Sequence, residues 1–138
     1  MIGLDTNILA RYYIEDVGDS ESIKQREVAR RLIESGSALM VCKTVLLELE
    51  WVMRGYYEFS VEAIISVFTH LLAMPHVLIE EKTQVQTALQ HYQAGLDFAD
   101  ALHHVSYQSC TAMASFDDRR FARRVKKMAL IPHVIVPK

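Results

Sequence analysis

Five acidic residues that are far apart in the chain stand where strands end or helices begin, and carboxylates so placed could bind a metal ion. They are Asp5, Glu48, Asp97, Asp100 and Asp117. Asp97 and Asp100 are three residues apart, so they share one face of a helix. Carboxylates that converge repel one another and raise their own pKa values unless a cation neutralises them. Oxygen ligands suit a hard divalent ion, which makes a metal site the joint prediction.

A site of carboxylates without His or Cys suits Mg²⁺, or Mn²⁺, and the hydrolysis of a phosphodiester bond. Such an ion polarises the phosphoryl oxygen, lowers the pKa of a bound water and orients the in-line attack. We expect Asp5 and Asp100 to be direct ligands. Glu48 and Asp117 are expected to act through water, at a second metal or in positioning the nucleophile. Asp97 is expected to cap its helix, with metal contact as the alternative.

Each acid also has a structural interpretation when it is taken singly. Asp97 and Asp117 are good helix N-caps. Glu48 and Asp100 lie near the positive end of a helix dipole, which stabilises a carboxylate. Asp5 has no obvious partner within the apolar-rich segment MIGLDTNIL. The metal site therefore depends on the five acids meeting at one place.

A basic segment follows the last of these acids. Residues 44–118 hold ten acids and two bases, whereas residues 119–127 hold six bases and no acid. The bases are Arg119, Arg120, Arg123, Arg124, Lys126 and Lys127. On one helix they could neutralise the phosphates of a nucleic acid, and binding would then weaken steeply with added salt. A solvated helix face is the alternative.

Apolar runs alternate with longer segments of helical periodicity, which indicates a parallel sheet with helices on both faces. The predicted strands are Met1–Leu4, Ala38–Cys42, Val77–Ile79, Thr111–Phe116 and Val134–Val136. The predicted helices are Thr6–Ile14, a segment from a Ser20 cap to Gly36, a segment from a Thr44 cap to Gly55, Ser60–Met74, Glu81–Gln93, Phe98–Gln108 and Asp118–Met128, with a polar loop over Glu15–Ser20. We expect one three-layer α/β/α domain over residues 1–138 with a central parallel sheet. Ligands bind at the carboxyl ends of such strands, and the five acids would meet at this edge.

Composition limits the classes of protein that the chain can represent. Its 138 residues suit one domain, and the 51% of hydrophobic residues can build a full core. The net charge of -2 gives no global basic field. Cys42 and Cys110 cannot form a disulfide framework and are expected to be small core residues. The start MIGLDTN is unlike a secretory signal and no apolar run nears the ~20 residues of a membrane span, so we expect a cytoplasmic protein.

Four segments carry a resemblance to a known family: MIGLDTNILARYY, VLLELEWV, LDFADALHH and MASFDDRRFAR, in this order. Together they resemble the PIN domain, and within it the VapC-type toxins of bacterial type II toxin–antitoxin modules. The resemblance implies a Mg²⁺-dependent endoribonuclease that leaves 5′-phosphate and 3′-hydroxyl ends on RNA. It also implies a homodimer and a cognate antitoxin that wraps the toxin and blocks its site.

The resemblance assigns the family's four acids to Asp5, Glu48, Asp100 and Asp117. It places Thr6 and Asn7 beside the first acid, and Ser115 two residues before the fourth. Asp97 matches a position that is variably acidic in the family. The adjacent Asp118 is the alternative to the fourth acid.

Six aromatic residues lie near predicted helix ends: Tyr12, Tyr13, Trp51, Tyr56, Tyr57 and Phe59. Several are expected in the core, because aromatic side chains bury large areas. Trp51 and Tyr56 have an alternative role in the groove that would receive an antitoxin helix. The neighbours His103 and His104 point in different directions on a helix, so no zinc site is expected.

Several other functions compete with this interpretation. A phosphatase of the haloacid-dehalogenase type requires a second Asp where Asn7 stands, and a response-regulator receiver requires a phospho-acceptor Asp that residues 40–43 do not supply. A catalytically weak or inactive PIN-fold binding protein remains an alternative. A DNA-directed PIN nuclease also remains open, because no residue pattern reads a 2′-hydroxyl.

Overall fold

Parallel strands alternate with helices along the chain, as the apolar runs predict. The computed structural model describes residues 1–15 and 18–138. These residues form two compact units, Met1–Lys82 and Thr83–Lys138. The predicted polar loop Glu15–Ser20 is described only in part, because residues 16 and 17 lie outside the described residues.

The first unit holds a three-stranded parallel sheet in the order β1-β2-β3. Its elements are β1 (Ile2–Gly3), α1 (Thr6–Tyr13), α2 (Ser20–Glu34), β2 (Leu39–Val41), α3 (Lys43–Trp51), a π-helix (Val52–Tyr56), α4 (Val61–Ala73) and β3 (Val77–Ile79). In the sheet, Leu39 lies opposite both Ile2 and Val77. The core of this first unit includes Leu9 of α1 and Leu46 of α3, which are fully buried.

The second unit holds two parallel strands, β4 and β5. Its elements are α5 (Lys82–Gln93, in this unit from Thr83 on), α6 (Phe98–Ser106), β4 (Ala112–Ala114), a second π-helix (Asp118–Ala122), α7 (Arg123–Lys127) and β5 (His133–Ile135). Phe98, Phe121 and Val125 form much of its buried core. The parallel α/β class is confirmed, with the hydrogen-bonded strands in a three-stranded and a two-stranded sheet.

Two of the predicted helix caps are wrong. Asp19, not Ser20, caps α2, and its carboxylate accepts a hydrogen bond from the Ser22 amide at 2.8 Å. Cys42, not Thr44, is the N-cap residue of α3. It offers no side-chain cap, and Glu80 accepts from the Lys43 amide at 2.8 Å instead. In both places a carboxylate takes the role that was predicted for a hydroxyl, since a charged acceptor bonds amides more strongly.

The predicted burial of several side chains is wrong as well. Cys110 is exposed and Cys42 only half-buried, because Cys110 lies in a turn in which its amide donates to the Tyr107 carbonyl. None of the six aromatic residues near helix ends is fully buried; Trp51 and Tyr56 are exposed and the other four are half-buried. These rings therefore lie at the surface of their unit. Within the described part of the chain, no helix has the length and apolar character to cross a membrane.

Candidate active site

Asp5 and Glu48 line one pocket of the first unit, with a volume of about 470 Å³. Asp5 follows β1 and is the N-cap of α1, and its Oδ1 accepts from the Thr6 amide at 2.8 Å. Glu48 lies on α3, the helix that follows β2, and its side chain is exposed. β1 and β2 are parallel neighbours, so the helices that follow them bring both acids to the carboxyl edge of the sheet.

The two residues after Asp5 differ in their surroundings. Thr6 is buried, and among the described residues its hydroxyl oxygen has no hydrogen-bond partner. Asn7 is exposed, and both residues line the pocket. A buried hydroxyl without a partner is costly, so Thr6 leaves an unmet hydrogen bond beside the acids.

Sequence reasoning missed two charged residues of this pocket, Arg11 and Asp19. Arg11 lies one helical turn beyond Asn7, and its Nε donates to Gln25 at 2.8 Å. The Ser22 amide lowers the pKa of Asp19 by donating to its carboxylate. Arg11 could have been predicted, because it is four residues from Asn7 and so lies on the same helix face. Nothing in the sequence indicates that Asp19 lies in the same pocket as Asp5.

The second unit gathers Asp97, Asp100 and Asp117. Burial raises the pKa of Asp100, and the negative charges of Asp97 and Asp117 raise it further. His103 and Arg120 act in the opposite direction on this pKa. Asp100 is half-buried on the first turn of α6, so its charge is poorly solvated and surrounded by like charges.

Arg120 contacts both of the acids whose charges raise the pKa of Asp100. Its guanidinium lies 3.9 Å from Asp97, which occupies the predicted N-cap position of α6 but makes no side-chain cap bond. Its amide donates at 2.9 Å to Asp117, which caps the second π-helix as predicted. Ser115 accepts from the Asp117 amide at 3.1 Å and so orients this acid.

The neighbouring acid, Asp118, pairs with an arginine of the basic segment. Its carboxylate bonds Arg123 at 2.9 Å, five residues further along the chain. This i to i+5 contact follows from the π-helix, which brings residues five apart together. Of the adjacent acids Asp117 and Asp118, Asp117 is the one whose charge raises the pKa of Asp100.

The carboxylates bond local donors instead of one another. Among the described residues, no group of three or more Asp, Glu, His or Cys side chains is arranged to hold a metal ion. Asp5 and Asp117 accept hydrogen bonds from the amides of Thr6 and Arg120, and Asp97 forms an ion pair with the Arg120 guanidinium at 3.9 Å. The donor chemistry nevertheless fits a hard cation, because all candidate ligands are oxygens and a cation would relieve the repulsion at Asp100. That the two groups of acids share one site stays a prediction.

The basic segment is not one uniform face. The predicted helix Asp118–Met128 is instead a π-helix followed by α7, which changes the spacing of its side chains. Arg120 and Arg123 pair with acids, and Arg124 donates to the Gly95 carbonyl at 2.8 Å. The remaining three bases are exposed and form no ion pair within the described residues: Arg119, Lys126 and Lys127.

Comparison with known families gives a match over most of the chain. The family model described as the PIN domain matches residues 2–127. This span covers most of the chain and includes all five acids and the whole basic segment. A search among curated proteins finds no match.

Proposed function

The chain belongs to the PIN domain family, a superfamily of metal-dependent nucleases, and from this premise we propose that it is a Mg²⁺-dependent endoribonuclease. The observation that carries the proposal is the pocket shared by Asp5 and Glu48, two acids from helices that follow neighbouring strands. The crowding of Asp100 by Asp97 and Asp117 supports it independently, because this crowding favours a bound cation.

We assign the metal to the carboxylates of Asp5 and Asp100, with Glu48 and Asp117 acting through water. A bound Mg²⁺ or Mn²⁺ would polarise the phosphoryl group and lower the pKa of an attacking water. The Thr6 amide fixes the Asp5 carboxylate at the pocket. Glu48 is exposed and makes no side-chain hydrogen bond within the described residues, so it is available to accept the proton of the water.

The basic segment supports RNA binding in two ways. Arg119, Lys126 and Lys127 are exposed and lack ion pairs within the described residues, so they are the proposed first contacts to phosphates. Arg120 and Arg123 form ion pairs with Asp97 and Asp118, and these contacts position the two arginine side chains. Their positive charges add to the local electrostatic field. In this proposal they contact RNA only if the substrate displaces those acids.

The proposed biological role is that of the toxin in a type II toxin–antitoxin module. The order of the four sequence segments supports it, as does the exposure of Trp51 and Tyr56, which would suit contact with an antitoxin. The proposal includes a homodimer, a cognate antitoxin that blocks the acids, and a cytoplasmic location, where RNA is met.

The test is cleavage of total bacterial RNA by the purified chain, with Mg²⁺ and with EDTA. The matched variants are Asp5→Asn and Asp19→Asn, since both residues line the same pocket but only Asp5 is a proposed ligand. We expect discrete fragments from the wild type and Asp19→Asn with Mg²⁺, and none from Asp5→Asn or with EDTA.

Other outcomes separate the alternatives. Equal degradation by Asp5→Asn would indicate a contaminating nuclease and contradict the assignment. Cleavage of single-stranded DNA but not RNA would favour a DNA-directed PIN nuclease. RNA binding without cleavage, in a preparation shown to hold no second protein, would favour a PIN-fold binding protein.

A further inference from the structure

Two adjacent tyrosines line the pocket that holds Asp5 and Glu48. Tyr56 ends the first π-helix and is 74% exposed, and Tyr57 follows it and is half-buried. A large aromatic surface left in water beside candidate catalytic acids is the kind of feature that binds a flat, partly apolar group. π-helical turns are also frequent at functional sites.

Backbone hydrogen bonds anchor the segment that carries these rings. The Tyr57 amide donates to the Val52 carbonyl at 3.2 Å, and the Phe59 amide donates to the Met53 carbonyl at 2.9 Å. Met53 is fully buried, so this end of the π-helix is anchored in the core. Glu58, directly after the tyrosines, has a φ of 58°, a conformation that residues other than glycine rarely adopt. The chain thus turns sharply here, at a conformational cost, and presents the two rings.

The rings form a platform with an open face. Their centroids are 4.8 Å apart and their planes are inclined by 70°, so one ring meets the other edge-on. An edge-on contact leaves the exposed Tyr56 able to stack on a further planar group. Every nucleobase has a π-face, so base stacking on tyrosine is a recurrent means of binding single-stranded nucleic acid.

We propose that Tyr56, supported by Tyr57, stacks on an unpaired base of the substrate and so positions the strand at the acids of this pocket. This inference rests on the proposed function, since it takes the pocket to be the place where RNA is cleaved. Bases inside a duplex have both faces covered by neighbouring pairs and cannot stack on Tyr56 without unstacking. Arg11 lines the same pocket and complements the phosphate next to the stacked base.

Tyr56 and Trp51 differ in their position relative to the acids, and only the position of Tyr56 suits contact with the substrate. Trp51 is also largely exposed, at 59%, but it does not contribute to the described lining of the acidic pocket. Its indole instead lies against Gly55, where a Cβ atom would come within 3.7 Å of it. Tyr56 therefore lies where a substrate of the acids would pass, whereas Trp51 lies outside this lining.

Binding of a fluorescently labelled single-stranded RNA, followed by anisotropy in EDTA, tests this role without relying on cleavage. The wild type is compared with Tyr56→Ala, Tyr56→Phe and Trp51→Ala. Tyr56→Ala is expected to weaken the Kd by about 5- to 100-fold, the usual contribution of one stacked base. Tyr56→Phe should stay within about twofold of the wild type, because stacking uses the ring and not the hydroxyl. Trp51→Ala should leave the Kd unchanged, and the same RNA in a duplex should bind equally to the wild type and Tyr56→Ala.

Each contrary result has a distinct meaning. An unchanged Kd for Tyr56→Ala, with a wild type that cleaves RNA, overturns the stacking role and leaves the proposed function intact. Equal weakening by Tyr56→Ala and Trp51→Ala overturns it in favour of a general aromatic contact surface. A wild type that neither binds nor cleaves RNA refutes the proposed function and this inference with it. Circular dichroism of each variant confirms that it folds.

Discussion

The negative charge of Asp100 is disfavoured in the folded chain. Burial, Asp97 and Asp117 all raise its pKa, and no residue lowers it enough to compensate. The folded state therefore binds the Asp100 proton more tightly than the unfolded state. The contribution of this group to stability falls as the pH rises through the interval between its unfolded and folded pKa values. At neutral pH the ionised carboxylate destabilises the fold unless a cation binds it.

Asp100→Asn is accordingly expected to raise the free energy of unfolding at neutral pH in EDTA, by up to about 1 kcal/mol for a charge that is only half-buried. The gain should vanish below about pH 3.5, where the carboxyl is protonated in both states. With Mg²⁺ present, the wild type should gain more stability than the variant, because binding to the folded state stabilises it. Thermal unfolding across this pH range measures all three effects.

Asp19→Asn is the matched control for this prediction. The Ser22 amide lowers the pKa of Asp19, so this carboxylate stabilises the fold above its unfolded pKa, and the contribution is lost as the pH falls through the folded value. The substitution should therefore bring no gain at neutral pH. A melting temperature of Asp100→Asn below that of the wild type in EDTA would show that the Asp100 charge is well accommodated, against this account.

At the scale of elements, both π-helices adjoin candidate site residues. One follows α3, which carries Glu48, and the other begins directly after Asp117. Apolar periodicity predicted a helix at both places. It cannot distinguish the i to i+5 hydrogen bonds of a π-helix from the i to i+4 hydrogen bonds of an α-helix. The distinction matters, because it determines that Asp118 meets Arg123 and that Tyr56 ends its helix beside the pocket.

The pair Glu50–Arg54 joins α3 to the first π-helix and should contribute measurably to stability. The Glu50 carboxylate is buried, and the Arg54 Nε donates to it at 2.8 Å. Arg54→Met removes a cation bonded to a buried charge and is expected to cost about 1–3 kcal/mol in urea unfolding. The double variant Arg54→Met/Glu50→Gln should recover part of this loss, since it also removes the charge. A double variant no more stable than Arg54→Met would contradict this role for the pair.

The basic segment makes a prediction about salt. Replacing Arg119, Lys126 and Lys127 by Gln should flatten the dependence of log K on log salt for single-stranded RNA, by about 0.7 for each lost phosphate contact. The control is Lys24→Gln, an exposed lysine of α2 in the first unit. Anisotropy titrations at several salt concentrations give the slopes. Slopes equal to that of the wild type would assign the segment to a solvated helix face.

At the scale of the whole molecule, much of the organisation could be predicted from the sequence. The order of strands and helices follows from apolar spacing, and Val77–Ile79 was predicted to the residue. The four motifs predicted the family that residues 2–127 match. These features depend on local pattern, which the sequence carries directly.

Features that depend on tertiary contacts could not be predicted in this way. The cap of α3 comes from Glu80, 37 residues away from Lys43, and no local motif indicates it. Arg11 and Asp19 join the pocket of Asp5 only through the packing of α1 with α2. Asp5 differs from these residues, because its carboxylate accepts a hydrogen bond from the amide of the next residue, Thr6. This hydrogen bond depends on the local backbone geometry.

The proposed function depends on the binding of a divalent cation by Asp5 and Asp100, which stays a proposal. Its most direct test is Mn²⁺ binding to the purified chain, followed by the electron paramagnetic resonance signal of free Mn²⁺. We expect the wild type and Asp19→Asn to bind Mn²⁺ alike, and Asp5→Asn and Asp100→Asn each to bind it at least about tenfold more weakly. A wild type that binds no Mn²⁺, or variants at Asp5 and Asp100 that bind it as tightly as the wild type, would contradict the account.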